Sequence, residues 1–424
     1  LAPLSLTLYR GVMSALSPLA RPLLRRRALR GKEDGARLEE RLGHASIARP
    51  DGGLVWIHSI SVGESQSVLP LIHRLAAARP DLTLLSTSGT VTSAELLARR
   101  LPAGAIHQYA PLDTPAAARA FLDHWKPDLA LFVESEIWPN LILGARDRSA
   151  RLALISARIT EKTAAGWAMA EAGVREVLSA FDLVLPQDEA SAERLGRFGA
   201  SVRGRLNLKL AGEALPCDED ERRRLAAAIG ERPVVLAAST HPGEESIIAT
   251  AAEAAIREAT PGALLIIAPR HPERGEAVVR AIGDGYGPVA LRSRGDLVTP
   301  QTAIYVADTL GELGLFFRLA DVAVMGGSFV PDIGGHNPME PARLGCPVIS
   351  GPSVFNAEEL YAAMTEQGRG AVVVEGPGGL TMTLHGLLSD PDSARALGLA
   401  GLAFAEAQSA ALEAAWLQLK GLLP

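Results

Sequence analysis

The chain has 424 residues, 48% of them hydrophobic and 21% charged, the balance of a soluble globular protein and not of a disordered or collagen-like one. Two cysteines, Cys217 and Cys346, are too few for a disulfide framework and lack metal-ligand spacing, which fits a reducing compartment and a cytosolic face. Residues 1–32 hold seven basic residues and no acid, so the net charge of -6 leaves -13 on the remainder, the wrong sign for a nucleic-acid-binding body.

Residues 1–24 form an apolar stretch interrupted by Arg10, Pro18 and Pro22 and followed by Arg25, Arg26 and Arg27. A membrane span fits poorly, since Arg10 would lie in hydrocarbon and the prolines would loosen a helix. A cleaved signal peptide fits no better, because the charge follows the apolar run and there is no clear small-residue cleavage site. The segment reads as an interfacial anchor, with leucines, Tyr9, Val12 and Met13 at the acyl boundary and the arginines on anionic head groups. A helix packed on the protein's own body is the competing reading.

From residue 54 onward short apolar runs alternate with amphipathic stretches, the pattern of strand, helix, strand units around a parallel sheet. The first half predicts strands at 54–61, 82–88, 129–134, 152–156 and 183–186, with helices at 66–78, 94–101, 116–125 and 161–178. Residues 206–222 carry turn formers and an acidic run and read as a linker. The second half predicts strands near 234–238, 264–268, 303–307, 322–325 and 348–350, and 393–423 reads as a terminal helix. Two doubly wound domains facing each other would enclose a cleft. In such sheets ligands sit beyond the carboxyl ends of strands, so function is expected on the strand-end loops.

The first strand runs into His58-Ser59-Ile60-Ser61-Val62-Gly63-Glu64-Ser65. Gly63 permits a close turn, and Glu64 sits near a helix N-terminus whose macrodipole favours its ionised form, which suits either a general base on the crevice or a plain cap. The run Glu134-Ser135-Glu136-Ile137-Trp138-Pro139-Asn140 puts two acids at i and i+2 directly after a buried strand. Period-two geometry aims both carboxylates the same way while the strand persists. Burying them is costly unless they are paired or used; the alternative is a capped strand end bonded to backbone amides.

In the second half Ser239-Thr240-His241-Pro242-Gly243-Glu244-Glu245, Pro269-Arg270-His271-Pro272-Glu273-Arg274, and Gly326-Gly327-Ser328 running on to Gly334-Gly335-His336-Asn337-Pro338-Met339-Glu340 each follow a predicted strand. Glycine-rich turns leading into helices present N–H groups to phosphate, and Arg270 adds a planar charged donor, which together resemble a phosphate pocket without a Walker lysine. Glu340 could accept bonds from both hydroxyls of a ribose. No metal constellation is found: the nine histidines show no HExxH or paired spacing, and the strings Asp218-Glu219-Asp220 and Asp390-Pro391-Asp392 precede helical stretches where acids cap. There is no G-x-S-x-G elbow and no strand followed by G-x-G-x-x-G.

SVGE at 61–64, ESEIWPN at 134–140, STHPGEE at 239–245, APRHPER at 268–274, DTLGEL at 308–313 and GGSFVPDIGGHNPMEPA at 326–342 resemble, in order and across nearly the whole chain, the 3-deoxy-D-manno-octulosonic acid (Kdo) transferases of lipopolysaccharide synthesis. The basic N-terminal segment and the KED…ERLG stretch at 32–43 share in the likeness. The resemblance implies an α/β GT-B fold of two Rossmann-like domains with parallel sheets facing a central cleft, CMP-Kdo as donor, a lipid A precursor as acceptor, no cofactor and no metal. It implies a membrane-interface segment at 1–32, an acceptor-binding domain at 33–209 and a CMP-sugar-binding domain at 210–424 with a C-terminal helix, working at the cytoplasmic face of the inner membrane. Carried over by motif, Glu64 is the proton acceptor and Glu134 and Lys209 stabilise the transition state. CMP contacts map to Pro269, Arg270, Leu310, Gly311, Glu312, Asn337, Pro338, Met339 and Glu340. One departure stands at the linker: the family has glycine directly before the (Asn or Ser)-Leu-Lys triplet, whereas Leu206 precedes Asn207-Leu208-Lys209 and the glycine lies at Gly204.

The implied chemistry agrees with the residues. An acidic sugar leaving CMP needs an oxocarbenium-like carbon and a departing phosphate stabilised together, and a base for the acceptor hydroxyl. Two rivals are another sugar-nucleotide enzyme of GT-B architecture, such as an epimerase, and an inert sugar-nucleotide-binding regulator. The basic apolar N-terminus weighs against the first, and the presence of Glu64, Glu134 and Lys209 against the second.

Overall fold

The structure, a computed structural model, describes residues 3–210, 212, 214–366 and 370–424. Leu1 and Ala2 of the expected anchor and Ala211 and Glu213 of the expected linker lie outside the described residues. The chain forms two compact units, Leu1–Gly212 with Gln408–Pro424, and Glu213–Ala407. The expected second domain takes in all of 210–424. The terminal helix Pro391–Lys420 instead ends in the first unit, because Ala415, Trp416 and Leu419 join Val55, Ile57 and Leu131 in one apolar cluster.

The first unit is built on six parallel strands, β1 (Leu54–His58), β2 (Thr83–Ser88), β3 (Ile106–Tyr109), β4 (Leu129–Val133), β5 (Arg151–Ala157) and β6 (Leu183–Pro186), in the order β3-β2-β1-β4-β5-β6. Helices cover both faces, so β1, β4 and β6 read as largely apolar runs and alternate residues feed separate cores. Trp56, Ala130, Phe132 and Leu154 enter one cluster, and Val55, Ile57, Leu131 and Ile155 the other. The strand order reverses between β1 and β4, and the loops leaving those two strands carry Glu64 and Glu134. That reversal is where a doubly wound sheet opens its crevice.

The second unit has seven parallel strands, β7 (Val234–Thr240), β8 (Leu264–Pro269), β9 (Val289–Leu291), β10 (Ile304–Val306), β11 (Val322–Met325), β12 (Val348–Ser350) and β13 (Ala371–Val373), ordered β13-β12-β11-β7-β8-β10-β9. Here the order reverses between β7 and β11, again beside two of the singled-out loops. β3, β9 and β13 go beyond the expected strands: they are edge strands of three or four residues, and β3 spends two of its four positions on His107 and Gln108. The expected helix at 161–178 is two, Glu161–Ala168 and Glu171–Ser179. The two D-x-D strings cap helices: Asp218 accepts from the Asp220 and Glu221 N–H groups at 3.0 and 3.1 Å, and Asp390 from Ser393 N–H and Oγ–H at 3.2 and 2.7 Å.

The N-terminal helix Leu4–Ala28 runs unbroken through Pro18 and Pro22 and ends on Arg25, Arg26 and Arg27. It buries Leu6, Ala20 and Leu24 against the first unit. Leu4, Leu8, Val12, Leu16, Leu19 and Leu23, spaced three or four apart along one face, stay 48% to 84% exposed. Tyr9 is expected among the lipid-facing residues; its hydroxyl instead donates to Asp113 Oδ2 at 2.8 Å, so the ring turns toward the body. Among the described residues no helix is long and apolar enough to cross a membrane.

Candidate active site

At the end of β1 the chain turns at Ser59–Ser61 and enters the helix Val62–Ala78 through a reciprocal cap. Glu64 N–H donates to Ser61 Oγ at 3.2 Å, while the Glu64 carboxylate accepts from Ile60 N–H at 2.7 Å, from Ser61 N–H at 3.4 Å and from Ser61 Oγ–H at 3.0 Å. Glu64 is thus a capping-box acid engaged by backbone and hydroxyl donors, with about one lone-pair direction of roughly four left over.

β4 stops at Val133, one residue earlier than predicted, and Glu134 adopts a left-handed backbone with φ 56°. The period-two argument for Glu134 and Glu136 therefore does not apply, since the strand has ended before the first acid. The two carboxylates are neighbours for another reason: the chain folds back tightly, with Glu136 N–H on Val133 O and Ile137 N–H on Ser135 O. Glu134 is buried, and Oε1 lies 2.9 Å from Lys209 Nζ. Lys209 is delivered by a segment anchored on either side of Asn207 by Leu206 and Leu208, both buried, so Leu206, where the family has glycine, serves here as an apolar anchor.

Glu136 stands out electrostatically. Burial pushes its carboxyl up to about 7; the Trp138 indole N–H that it accepts opposes this, and the nearby Glu64 and Glu134 charges add to it. Behind it His58, buried and held down at about 3 by desolvation and then by Arg41, sits with Nε2 3.9 Å from Glu136 Oε2 and Nδ1 2.9 Å from Thr87 Oγ1. In sequence Glu136 is visible only as half of an acidic pair, and His58 carries no signal as a site residue. His58 is held by Thr87 of β2 and Glu136 owes its raised carboxyl to burial, neither of which a local pattern reveals.

In the second unit, Glu244 joins the two loops that flank the β7/β11 reversal. Fully buried, it accepts from His241 N–H at 2.7 Å and Gly327 N–H at 2.6 Å through Oε1, and from Phe329 N–H at 3.3 Å through Oε2. Burial raises its carboxyl and the three backbone donors pull it back. The loops approach so closely that a Cβ on Gly326 would lie 2.4 Å from the Ser239 carbonyl oxygen. Arg274 Nη1–H donates to Glu245 Oε1 at 2.7 Å, whereas the Arg270 guanidinium is exposed and forms no ion pair among the described residues.

Of the expected nucleotide contacts, Pro269, Arg270, Leu310 and Gly311 line one pocket of about 150 Å³. Glu312 turns away from it to Arg292, which donates from Nε to Oε2 at 2.7 Å, and this pairing holds the carboxyl below its usual range. Asn337, Pro338, Met339 and Glu340 enter a helix of only four residues, Met339–Ala342. There Asn337 Oδ1 accepts from Met339 N–H at 3.0 Å, Met339 is fully buried, and burial raises the Glu340 carboxyl against the Arg343 and Arg270 charges.

The profile of the family described as "3-Deoxy-D-manno-octulosonic-acid transferase (kdotransferase)" matches residues 36–211. A relative from Arabidopsis thaliana, "Probable 3-deoxy-D-manno-octulosonic acid transferase, mitochondrial", is 38% identical over 368 residues, which cover 85% of this chain and 82% of the relative. The chain belongs to the Kdo transferase family. The 3-deoxy-D-manno-octulosonic acid transferase of Rickettsia bellii (strain RML369-C) agrees, at 33% identity over 92% of both chains. The crystal structure of UDP-GlcNAc 2-epimerase from Neisseria meningitidis bound to UDP-GlcNAc aligns with a TM-score of 0.52 at 13% identity, covering 87% of this chain and all of that one. That likeness shows the GT-B fold alone. As a family member the chain is an enzyme, a glycosyltransferase of Kdo, and the epimerase alternative shares its fold without sharing its family.

Proposed function

We propose that this Kdo transferase moves Kdo from CMP-Kdo to a lipid A precursor at the cytoplasmic face of the inner membrane, in one inverting, metal-independent displacement. The acceptor hydroxyl oxygen bonds to the anomeric carbon as the bond from that carbon to the CMP phosphate oxygen breaks. CMP leaves with the electron pair and the hydroxyl proton passes to Glu64. Glu134, charged and poised by Lys209, stabilises positive charge developing at the anomeric carbon, and Lys209 keeps that carboxylate from being an isolated buried charge. The donor nucleotide is held by the second unit through Pro269, Arg270, Leu310, Gly311 and Asn337 to Glu340, while Glu312 stays paired with Arg292 beside them.

The observation that carries this reading is the 2.9 Å contact between Glu134 and Lys209 at the β1/β4 reversal, with Glu64 close enough to act electrostatically on the same acidic loop. Glu134 and Lys209, distant in the chain, pair at the carboxyl end of β4, and Glu64 follows the neighbouring β1, which is where a doubly wound sheet takes its ligand. Among the described residues no group of three or more ligating side chains could hold a metal ion, and a monophosphate leaving group offers no diphosphate for a divalent ion to bridge. The exposed leucine stripe of the N-terminal helix, ending on three arginines, suits an acceptor embedded in an anionic bilayer.

A second reading of the base is favoured by Glu136, whose carboxyl near 7 matches what a general base needs at neutral pH, whereas Glu64 spends most of its lone pairs on local donors. The test of the whole proposal is product analysis with CMP-Kdo and a lipid A precursor. It expects a Kdo-modified lipid and CMP in equal amounts; CMP and free Kdo without modified lipid would overturn it.

A further inference from the structure

Two donor-side motifs each carry a histidine for which the transfer chemistry gives no role, and the fold brings them together. His241 follows β7, His336 lies in the loop after β11, and their Nε2 atoms are 2.8 Å apart with the ring planes 9° from parallel. Two imidazole nitrogens at that distance hold one proton between them: one is an N–H and the other presents its lone pair. The loops fix the contact, since Glu244 binds the His241 and Gly327 backbone together and Tyr361 O–H donates to the His336 carbonyl at 2.9 Å.

The surroundings are predominantly cationic. His241 faces Arg270, His271 and Arg274, with Glu245 as its opposing acid, and Glu245 is already engaged by Arg274; His336 faces His241 and Arg270. The nearby Glu244 and Glu340 are themselves raised by burial. Desolvation first, and then these positive neighbours, hold both imidazoles below their usual range, His336 at about 4, so the empty pair is neutral. A neutral pair among guanidinium groups lacks an anion, and an anion within hydrogen-bond reach favours the protonated imidazole.

We propose that His241 and His336 form an anion clamp for the phosphate monoester of the nucleotide. In the empty site the rings share one Nε2 proton. As the phosphate dianion enters, the pair takes up one further proton from solvent, the contact between the two nitrogens opens, and each ring donates an Nε2–H to a phosphate oxygen, one of them as imidazolium. The clamp rests on the reading that this unit binds the CMP-sugar.

Calorimetry of CMP binding to the full chain at about pH 7.5, in buffers of different ionisation enthalpy, reads the protons taken up. There the phosphate is already a dianion, its second ionisation lying at about 6, and contributes almost none. Uptake approaching one proton is expected with CMP and none with cytidine, with CMP affinity falling up to tenfold per unit as pH rises from about 7 to 8.5. His241→Gln and His336→Gln should each abolish the uptake and weaken CMP by about tenfold while leaving cytidine binding unchanged; either variant suffices if the other fails to fold. CMP binding without proton uptake, or uptake retained in both variants, overturns the clamp and leaves the donor reading intact. Uptake with free Kdo and not with CMP overturns the phosphate assignment in favour of the sugar carboxylate. No CMP binding overturns both readings.

Discussion

Lys209 reaches across 75 positions of sequence to place its ammonium 2.9 Å from the buried Glu134 carboxylate. Lysine here is half exposed and glutamate is not, so the value of the pair lies in what the ammonium does for a carboxylate that would otherwise be buried without a counter-charge. Lys209→Met should lower turnover by about 10²-fold and, because it leaves the buried Glu134 carboxylate unpaired, stability by roughly 1–3 kcal/mol, less than for a fully buried pair since the lysine is half exposed. A double-mutant cycle with Glu134→Gln, read in turnover, should be strongly non-additive; additive losses would mean that the two residues work separately.

The identity of the base separates two variants. Glu64→Gln preserves the capping box, which accepts glutamine as well as glutamate, so its melting temperature should stay near wild type while turnover falls by about 10² to 10⁴ if Glu64 takes the proton. Glu136→Gln should show the larger loss if the second reading holds. Measuring turnover and melting temperature on both decides, and near-normal turnover in Glu64→Gln removes it from the mechanism.

Glu136 also leaves a signature in stability. Its folded value near 7 lies above the unfolded one of about 4.5, so between those values the native state binds more protons and unfolding free energy falls as pH rises. His58 acts with the opposite sign, because its folded value of about 3 lies below the unfolded 6.5. Comparison with Glu136→Gln isolates the first effect: the stability of wild type relative to the variant, from denaturant unfolding, should decline from about pH 4.5 to about pH 7 and then level off. A flat difference would show that Glu136 titrates normally.

Strands β1, β4, β5 and β6 are legible in the sequence because burial makes each a largely apolar run; β3 is not because half of its four positions are polar, and β9 and β13 are not because three-residue edge strands are too short to stand out as runs. Glu64 and Glu134 are found by their position at strand ends. What stays hidden is nonlocal: the raised carboxyl of Glu136 is a product of burial in the folded chain with the Glu64 charge nearby, and Glu312 looks free in sequence because Arg292, its partner, is 20 positions away. The left-handed turns at Glu134, Ser156 and Ser239 are equally silent, since only glycine or asparagine announces such backbone.

The leucine face of the N-terminal helix makes membrane binding a matter of named side chains. Replacing Leu8, Leu16 and Leu23 together with serine should reduce binding to anionic vesicles by well over tenfold, each leucine contributing about 1.5 to 3 kcal/mol when fully buried, while CMP binding is unchanged. Raising salt should weaken the wild type through its arginines. Undiminished vesicle binding by the triple variant would place the lipid contact elsewhere.

Transfer should persist in excess EDTA, since the leaving phosphate can be held by arginine and loop N–H groups. Activity lost to chelation and restored by Mg²⁺ or Mn²⁺ would refute metal independence.

The backbone at Glu134 has a consequence for engineering. A left-handed conformation costs a non-glycine residue about 1–2 kcal/mol, and this one also carries a buried carboxylate. Glycine is what the main chain prefers there and glutamate is what the proposed chemistry requires. Screens that reward heat resistance alone should therefore drift toward Glu134→Gly or another small side chain, yielding a hardier protein that no longer transfers sugar. Any stabilising programme on this scaffold must hold that position fixed.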